Sequence, residues 1–128
     1  MPAKYNVIPR KNPLDPNAPP KYYPSFVSSG RVSLRQLSRR IAESSTLSSV
    51  DVRAVLEALL TILPQEMANG NIVELGDFGT FRLKIKTTSS DFPNLVSSRN
   101  IIKAQPRFIA GKVFKQAVNT TIFEKVNG

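Results

Sequence analysis

The chain contains no cysteine and no histidine among its 128 residues. Without cysteine it can form no disulfide framework, no reactive thiolate and no cysteine-based zinc site. Without histidine it lacks the commonest general base and the commonest metal ligand of proteins. We therefore expect no metal site, no cofactor and no catalytic residue.

Long apolar runs are also absent. No window of the sequence approaches the roughly 20 apolar residues that a membrane-spanning helix needs. The segment from Met1 to Tyr5 has no apolar stretch typical of a secretion signal. The sequence therefore predicts a cytoplasmic protein without a membrane partner.

Acidic residues are half as numerous as basic ones, 9 against 18, and the net charge is +9. Such an imbalance indicates a polyanionic partner, with nucleic acid favoured over a membrane surface. A solvated basic surface without any partner explains the charge equally well. The carboxylates in the predicted helices are interpreted as solvated charges, and no serine has a plausible base beside it. The sequence thus predicts no enzyme and no small-molecule substrate.

Proline is concentrated in residues 1–31, which hold seven of the ten prolines. Proline fixes φ and removes an N–H donor, which excludes a helix or a central strand. A disordered tail is the ordinary interpretation, yet the segment carries three tyrosines, a phenylalanine and several aliphatic side chains. We predict an N-terminal extension over 1–31, lying extended against a domain over 32–128. It would add edge strands near residues 5–8 and 22–27.

Two amphipathic helices are predicted next. Ser33 is expected to cap the first, with Gln36 completing a capping box. Ser48 is expected to begin the second helix and Gly70 to end it, while Pro64 predicts a kink inside it. The second helix is apolar over a wider arc than one small domain can cover, so the sequence predicts a partner subunit.

A β-ribbon is predicted in the second half of the chain. Residues 71–75 indicate a strand, and residues 80–86 alternate apolar with basic side chains, as a half-buried strand does. Residues 87–98 are polar, residues 99–108 indicate the returning strand, and residues 111–123 indicate a final helix. Two strands that leave a core, reach a polar tip and return form an arm that can grip a partner.

The basic side chains of this ribbon form the best-placed cluster of the sequence. Arg82, Lys84 and Lys86 fall on one face of a strand, about 6.6–6.8 Å apart, close to the phosphate repeat of one DNA strand. Lys103 and Arg107 on the returning strand extend the same surface. An ordinary solvated sheet face is the alternative interpretation.

Two glycine- and phenylalanine-containing motifs bound the ribbon, one from Gly76 to Phe81 and one from Phe108 to Lys112. Together with the order of the elements, they resemble the HU and integration host factor family of bacterial DNA-bending proteins over about residues 32–126. The first thirty residues resemble the N-terminal extension of an HU-related branch. The resemblance implies an α+β fold with a helical base, a three-stranded sheet and a protruding β-ribbon arm, assembled as an intertwined homodimer.

The function that this resemblance implies is architectural, largely sequence-nonspecific binding and bending of double-stranded DNA in the nucleoid. Pro93 lies where the family's arm tip carries a proline that wedges between base pairs. Phe92 is an alternative wedge, and a plain turn remains a third interpretation. Basic residues at the start of the last helix meet the DNA backbone in family members. The predicted DNA-binding residues are Arg82, Lys84, Lys86, Arg99, Lys103, Arg107, Lys112 and Lys115.

Two other functions stay open at the level of sequence. One is an RNA or single-strand binder that uses the same basic surface. The other is an interaction module that keeps the HU fold while its arm has drifted, which Asp91 and the lack of glycine at the tip favour. An acidic or apolar surface in place of the basic side chains of the ribbon would support this second alternative.

Overall fold

The computed structural model describes residues 2–126. The chain divides into two compact units, one formed by residues up to 33 together with those from 117 onward, the other by residues 34–116. The strands and helices are β1 (Ala3–Arg10), β2 (Lys21–Val27), α1 (Leu34–Glu43), α2 (Ser49–Ala68), β3 (Val73–Glu74), β4 (Gly79–Thr87), β5 (Ile101–Ala110), α3 (Lys112–Asn119) and β6 (Phe123–Lys125).

The two helices begin where the capping residues predict. Helix α1 starts at the residue after Ser33. Helix α2 follows Ser48, whose hydroxyl oxygen accepts a hydrogen bond from the N–H of Asp51 at 3.1 Å. This bond satisfies one of the backbone donors that every helix leaves unpaired at its start.

Helix α2 ends in a Schellman motif. The N–H of Gly70 donates to the carbonyl of Met67 at 2.9 Å, and the N–H of Asn71 donates to the carbonyl of Glu66 at 3.1 Å. Gly70 has a φ of +89°, a conformation that glycine adopts without steric cost. The predicted end of the helix is confirmed, and α2 continues as one helix through Pro64.

The sheet of residues 34–116 has the order β3-β4-β5, and both pairings are antiparallel. A short 3₁₀ turn at Gly76–Phe78 connects β3 to β4. Strands β4 and β5 pair from Gly79 opposite Ala110 to Thr87 opposite Ile101, and so form the predicted ribbon.

Four phenylalanines pack at the base of the ribbon. The ring centroids of Phe78 and Phe114 lie 4.8 Å apart, and those of Phe81 and Phe108 also lie 4.8 Å apart. Phe78 contacts Phe108 at 5.2 Å in a tilted arrangement. Such distances are typical of packed aromatic pairs, so Phe78, Phe81 and Phe108 pack on one another as predicted. Phe78 and Phe108 nevertheless remain exposed in the single chain, so their burial in a core is not confirmed.

The unit built around the N-terminal segment is a second sheet with the order β2-β1-β6. The two strands predicted in the extension are present. The prediction of an edge strand holds for β2 but is wrong for β1, which is central because it pairs with β2 on one side and, in parallel, with β6 on the other. The hydrogen-bonding edges of β1 are therefore occupied within this second sheet.

The predicted helix over 111–123 is also too long. Helix α3 ends at Asn119, and the chain turns through the bond from the N–H of Thr121 to the carbonyl of Val118 at 3.1 Å. Residues 120–123 are two threonines, an isoleucine and a phenylalanine, which favour a strand. The N–H of Ala3 donates to the carbonyl of Ile122 at 2.9 Å, so pairing with β1 replaces the last helical turn.

The two faces of this second sheet differ in chemistry. One face carries an open groove of about 540 Å³ lined by apolar and aromatic side chains, among them Tyr5, Tyr22 and Phe26. The other face holds an ion pair between Lys4 and Glu124 at 3.1 Å.

Among the helices of residues 2–126, none combines the length and apolarity that crossing a bilayer requires.

Candidate nucleic-acid interface

The register of the ribbon places five predicted cations on one face. Arg82 lies opposite Arg107, and Lys86 lies opposite Lys103, with Lys84 between them on β4. Residues that are directly opposite in an antiparallel pair point to the same side of the sheet. All five side chains are exposed, so the ribbon carries a continuous cationic face.

The opposite face of the ribbon is apolar. Leu83 lies opposite Pro106, and Ile85 lies opposite Ala104. Toward the base of the ribbon, the next pair on this face is Phe81 with Phe108. The alternation that the sequence shows in β4 is thus matched by β5, and the two faces of the ribbon differ in chemistry.

The cationic face lacks internal counter-charges. Like charges directly opposite each other destabilise a sheet, and here two such pairs occur on one face. Two ion pairs are found within residues 2–126, Lys4 with Glu124 and Arg53 with Glu57, and neither involves the ribbon. A polyanion would supply the missing negative charge.

A β-bulge marks the outer end of this face. Lys86 pairs with Lys103 and Thr87 pairs with Ile101, so Ile102 has no partner across the ladder. A bulge bends the strand and increases its twist. The ribbon therefore changes direction immediately beyond the pair Lys86 and Lys103, where the tip begins.

The tip contains both predicted wedge residues. A 3₁₀ turn spans Pro93–Leu95, with Phe92 as the residue before it. The N–H of Leu95 donates to the carbonyl of Phe92 at 3.0 Å, and the N–H of Val96 donates to that of Pro93 at 3.3 Å. The side chains of Phe92, Leu95 and Val96 are each about 60% exposed, and these three residues of the tip are called the apolar cap below.

Sequence reasoning missed three residues of this tip. Leu95 and Val96 join the exposed cap, and an apolar pair inside a polar stretch was the available signal. Asn100 makes the hydrogen bonds that close the tip, and the Ser-x-x-Asn spacing from Ser97 to Asn100 was the available signal.

Three predicted cations lie outside the paired strands. Arg99 is exposed within the 3₁₀ turn Ser98–Asn100, at the inner end of the tip. Lys112 and Lys115 are exposed in the first turn of α3. The ladder therefore brings together five of the eight predicted DNA-binding residues, and the other three belong to neighbouring elements.

Comparison with known families matches residues 1–125 to the family described as an HU domain fused to wHTH, Ig, or Glycine-rich motif. The chain belongs to the HU family. It is 34% identical over 82 residues to the DNA-binding protein HU of Buchnera aphidicola, a match that covers 62% of this chain and 89% of that protein. The resemblance inferred from the sequence motifs is confirmed.

Solved structures support the HU-like α+β fold. An Anabaena HU–DNA cocrystal structure matches with a TM-score of 0.54 and 26% identity, covering 70% of this chain and 99% of that chain. A crystal structure of a candidate DNA-binding protein from Bacteroides vulgatus matches with a TM-score of 0.66 and 10% identity. That match covers 97% of this HU-family chain but only 47% of the other chain. At such identity it supports the fold alone.

Proposed function

We propose that this HU-family protein binds double-stranded DNA and bends it, in an architectural role with little sequence preference. The observation that carries the proposal is the ribbon register, which sets Arg82 opposite Arg107 and Lys86 opposite Lys103 without counter-ions. Phosphates would relieve the repulsion within these pairs, and a surface that pairs with phosphates reads no base sequence directly.

The residues of the cationic face are assigned to phosphate contacts in this proposal. Arg82, Lys84 and Lys86 follow one strand at a spacing close to the phosphate repeat, about 6.6–6.8 Å. Lys103 and Arg107 contribute from the second strand. Arg99 would extend the contact toward the tip, and Lys112 and Lys115 would extend it toward α3.

The functional form is proposed to be a homodimer. Val52 and Met67 are the buried apolar side chains among the described residues, whereas Val55, Leu60 and Ile62 of α2 remain more than half exposed. Large apolar side chains of a stable small protein are normally covered. If the α2 helix of a second copy packed against these side chains, the apolar surfaces of the two α2 helices would cover each other.

The tip is proposed to supply the bend. Phe92 and Pro93 form the exposed outer turn, and an apolar side chain inserted between base pairs unstacks them and kinks the duplex. The cations would hold the backbone, while the apolar cap would act on the base step. This division of roles allows binding and bending to be measured separately.

The alternative of a drifted interaction module is disfavoured by the charge on the ribbon. An acidic or apolar surface would have supported that alternative, whereas the face between Arg82 and Lys103 is cationic. Asp91 is an isolated acidic side chain at the tip.

The proposed site of action is the nucleoid. Residues 1–31 are proposed as an extension of an HU-like domain over 32–128.

A salt-titrated gel shift with duplex DNA tests the proposal. Four or more phosphate contacts in each of two subunits predict a log–log slope of at least about −5. The variant Arg82→Ala with Lys84→Ala should lower the steepness of the slope and weaken binding to all sequences alike. The variant Lys11→Ala with Lys21→Ala removes the same charge from two exposed positions of the N-terminal sheet unit and serves as the matched control.

The outcome of this titration decides between the functions. A flat salt response, or equal loss in both double variants, would contradict the ribbon as the DNA-binding site. Duplex RNA and single-stranded DNA are titrated in the same buffer. Tighter binding to either of them than to duplex DNA would favour the RNA or single-strand alternative.

A further inference from the structure

The tip of the ribbon has no apolar interior of its own. Its large apolar side chains, Phe92, Leu95 and Val96, are all exposed. Hydrophobic packing within the tip therefore contributes little to its order. Polar contacts between the two limbs of the loop must hold its shape, because ordering a loop costs conformational entropy at every residue.

Those polar contacts converge on Asn100. Its side-chain nitrogen donates to the carbonyl of Thr88 at 3.2 Å and to the hydroxyl of Ser90 at 2.9 Å. Its side-chain oxygen accepts from the N–H of Ser97 at 2.9 Å. One carboxamide thus joins the outgoing limb of the loop to the returning limb, twelve residues away along the chain at Thr88.

The backbone of Asn100 completes the closure. Its carbonyl accepts from the N–H of Thr88 at 2.7 Å, and its own N–H donates to the carbonyl of Ser97 at 3.0 Å. The hydroxyl of Ser97 in turn accepts from the N–H of Arg99 at 3.3 Å. The tip is therefore closed directly beyond the β-bulge at Ile102.

The chemistry of these partners requires an asparagine. The carbonyl of Thr88 can only accept a hydrogen bond and the N–H of Ser97 can only donate one, so the orientation of the carboxamide is fixed. Aspartate would keep the acceptor and lose both donors. Alanine would lose all of these side-chain bonds while leaving the backbone bonds in place.

We propose that Asn100 is the positioning residue of the arm tip. Its carboxamide holds the two limbs of the loop together, so that Phe92, Leu95 and Val96 are presented as one preformed apolar cap. This inference rests on the proposed function, because the cap acts on DNA. Asn100 itself makes no contact with the kinked base step and acts through the order that it imposes on the cap.

The variant Asn100→Ala tests this role, with Asn94→Ala as its matched control. Asn94 is an exposed asparagine of the same tip and makes no side-chain hydrogen bond within residues 2–126. Bending is measured by fluorescence transfer between the ends of an intact duplex, and affinity by titration of that duplex and of a gapped duplex of the same sequence. Asn100→Ala should reduce the preference for gapped over intact duplex by about fivefold or more, since several hydrogen bonds are lost.

The salt slope should stay unchanged in Asn100→Ala, because the cationic face is intact. Asn94→Ala should behave as the original chain in both measurements. Equal bending by Asn100→Ala and the original chain would overturn the positioning role. A parallel loss of salt slope and affinity would also overturn it, since that pattern would indicate general damage to the arm.

We call the hydrogen bonds made by the Asn100 side chain the clamp. A double-mutant cycle with Ser90→Ala distinguishes the loss of the clamp from a general structural effect of the substitution. The two substitutions share one hydrogen bond, so their effects on bending should add to less than the sum of the single effects. Strict additivity would contradict the shared bond. Additivity is the expected result for the unrelated pair Asn100→Ala and Asn94→Ala.

Amide hydrogen exchange of the protein without DNA tests the role of Asn100 separately from DNA binding. Asn100→Ala should accelerate exchange at the N–H groups of Leu95 and Val96, while those of α2 stay protected. Unchanged exchange at the tip would overturn the clamp. Faster exchange in a protein that binds no duplex DNA would leave the clamp standing and reject the proposed function instead.

Discussion

At the scale of single residues, glycine at position 111 is a steric requirement. The N–H of Gly111 donates to the carbonyl of Phe78 at 2.9 Å, which draws the start of α3 onto the 3₁₀ turn after β3. A Cβ atom at this position would overlap the backbone carbonyl of Asp77. The Phe-x-x-Gly-Lys motif of the family resemblance therefore has a local physical cause.

We expect Gly111→Ala to lower the free energy of unfolding by about 2 kcal/mol or more, because backbone atoms must move to admit the methyl group. Urea unfolding followed by circular dichroism measures the change. Lys112→Ala, at the next position and exposed, should stay within about 0.5 kcal/mol of the original chain. Equal stability of the two variants would show that the turn yields without strain.

The residues of the cationic face could be predicted from the sequence, whereas the hydrogen bonds of Asn100 could not. The reason is that strand periodicity is local and the path of a loop is not. Alternation with a period of two fixes which side of a strand each residue faces, so Arg82, Lys84 and Lys86 could be grouped without coordinates. The bonds of Asn100 depend on the path of a loop that returns from Thr88. No local periodicity encodes that path.

At the scale of elements, the boundaries confirmed are those with a cap or a turn signal. Ser48 and Gly70 mark the ends of α2 because each satisfies backbone groups locally. The end of α3 was predicted wrongly because Val118 and Ile122 continue the helical spacing by one turn. The competing strand β6 is stabilised by β1, more than a hundred residues earlier in the sequence.

Strand β6 should hold the N-terminal hairpin in place. It pairs in parallel with β1, and two backbone bonds flank this pairing, from Ala3 to Ile122 at 2.9 Å and from Val126 to Tyr5 at 3.0 Å. Truncation after Asn119 removes both and leaves β1 with a bare edge, so limited proteolysis should cleave within residues 2–27 several times faster.

The control for this truncation is Glu124→Gln, which removes the ion pair with Lys4 and keeps the backbone bonds. An exposed ion pair contributes little, so cleavage should not accelerate. If the truncated chain is cleaved no faster than the full one, the hairpin is held by contacts other than β6. Rapid loss of residues 2–27 from the full chain, with an unchanged melting temperature, would show the extension to be a free arm.

At the scale of the whole molecule, the proposed dimer rests on the apolar surface of α2. Leu59 belongs to the wide apolar arc of this helix and is 36% exposed in the single chain. We expect Leu59→Asp to prevent dimerisation and to unfold much of the chain, because burying an unpaired carboxylate is costly. Sedimentation velocity and circular dichroism at micromolar concentration measure both effects.

Gln65→Asp adds the same charge at an exposed polar position of α2 and should leave the dimer intact. A folded monomer of the original chain at micromolar concentration would refute the dimer. A folded dimer of Leu59→Asp would place the subunit contact elsewhere than on this face of α2.

The proposed dimer through the exposed apolar arc of α2 would also tie the stability of the protein to its concentration. When folding and association are one event, the unfolded chain is favoured by dilution and the melting temperature rises with the logarithm of protein concentration. In a cell with few copies of the protein, most chains would be unfolded and sensitive to proteases. In the proposed homodimer, two chains must meet to form one DNA-bending unit, so the number of such units would rise with the square of expression at low levels. The protein would then respond to expression with a threshold and not in proportion.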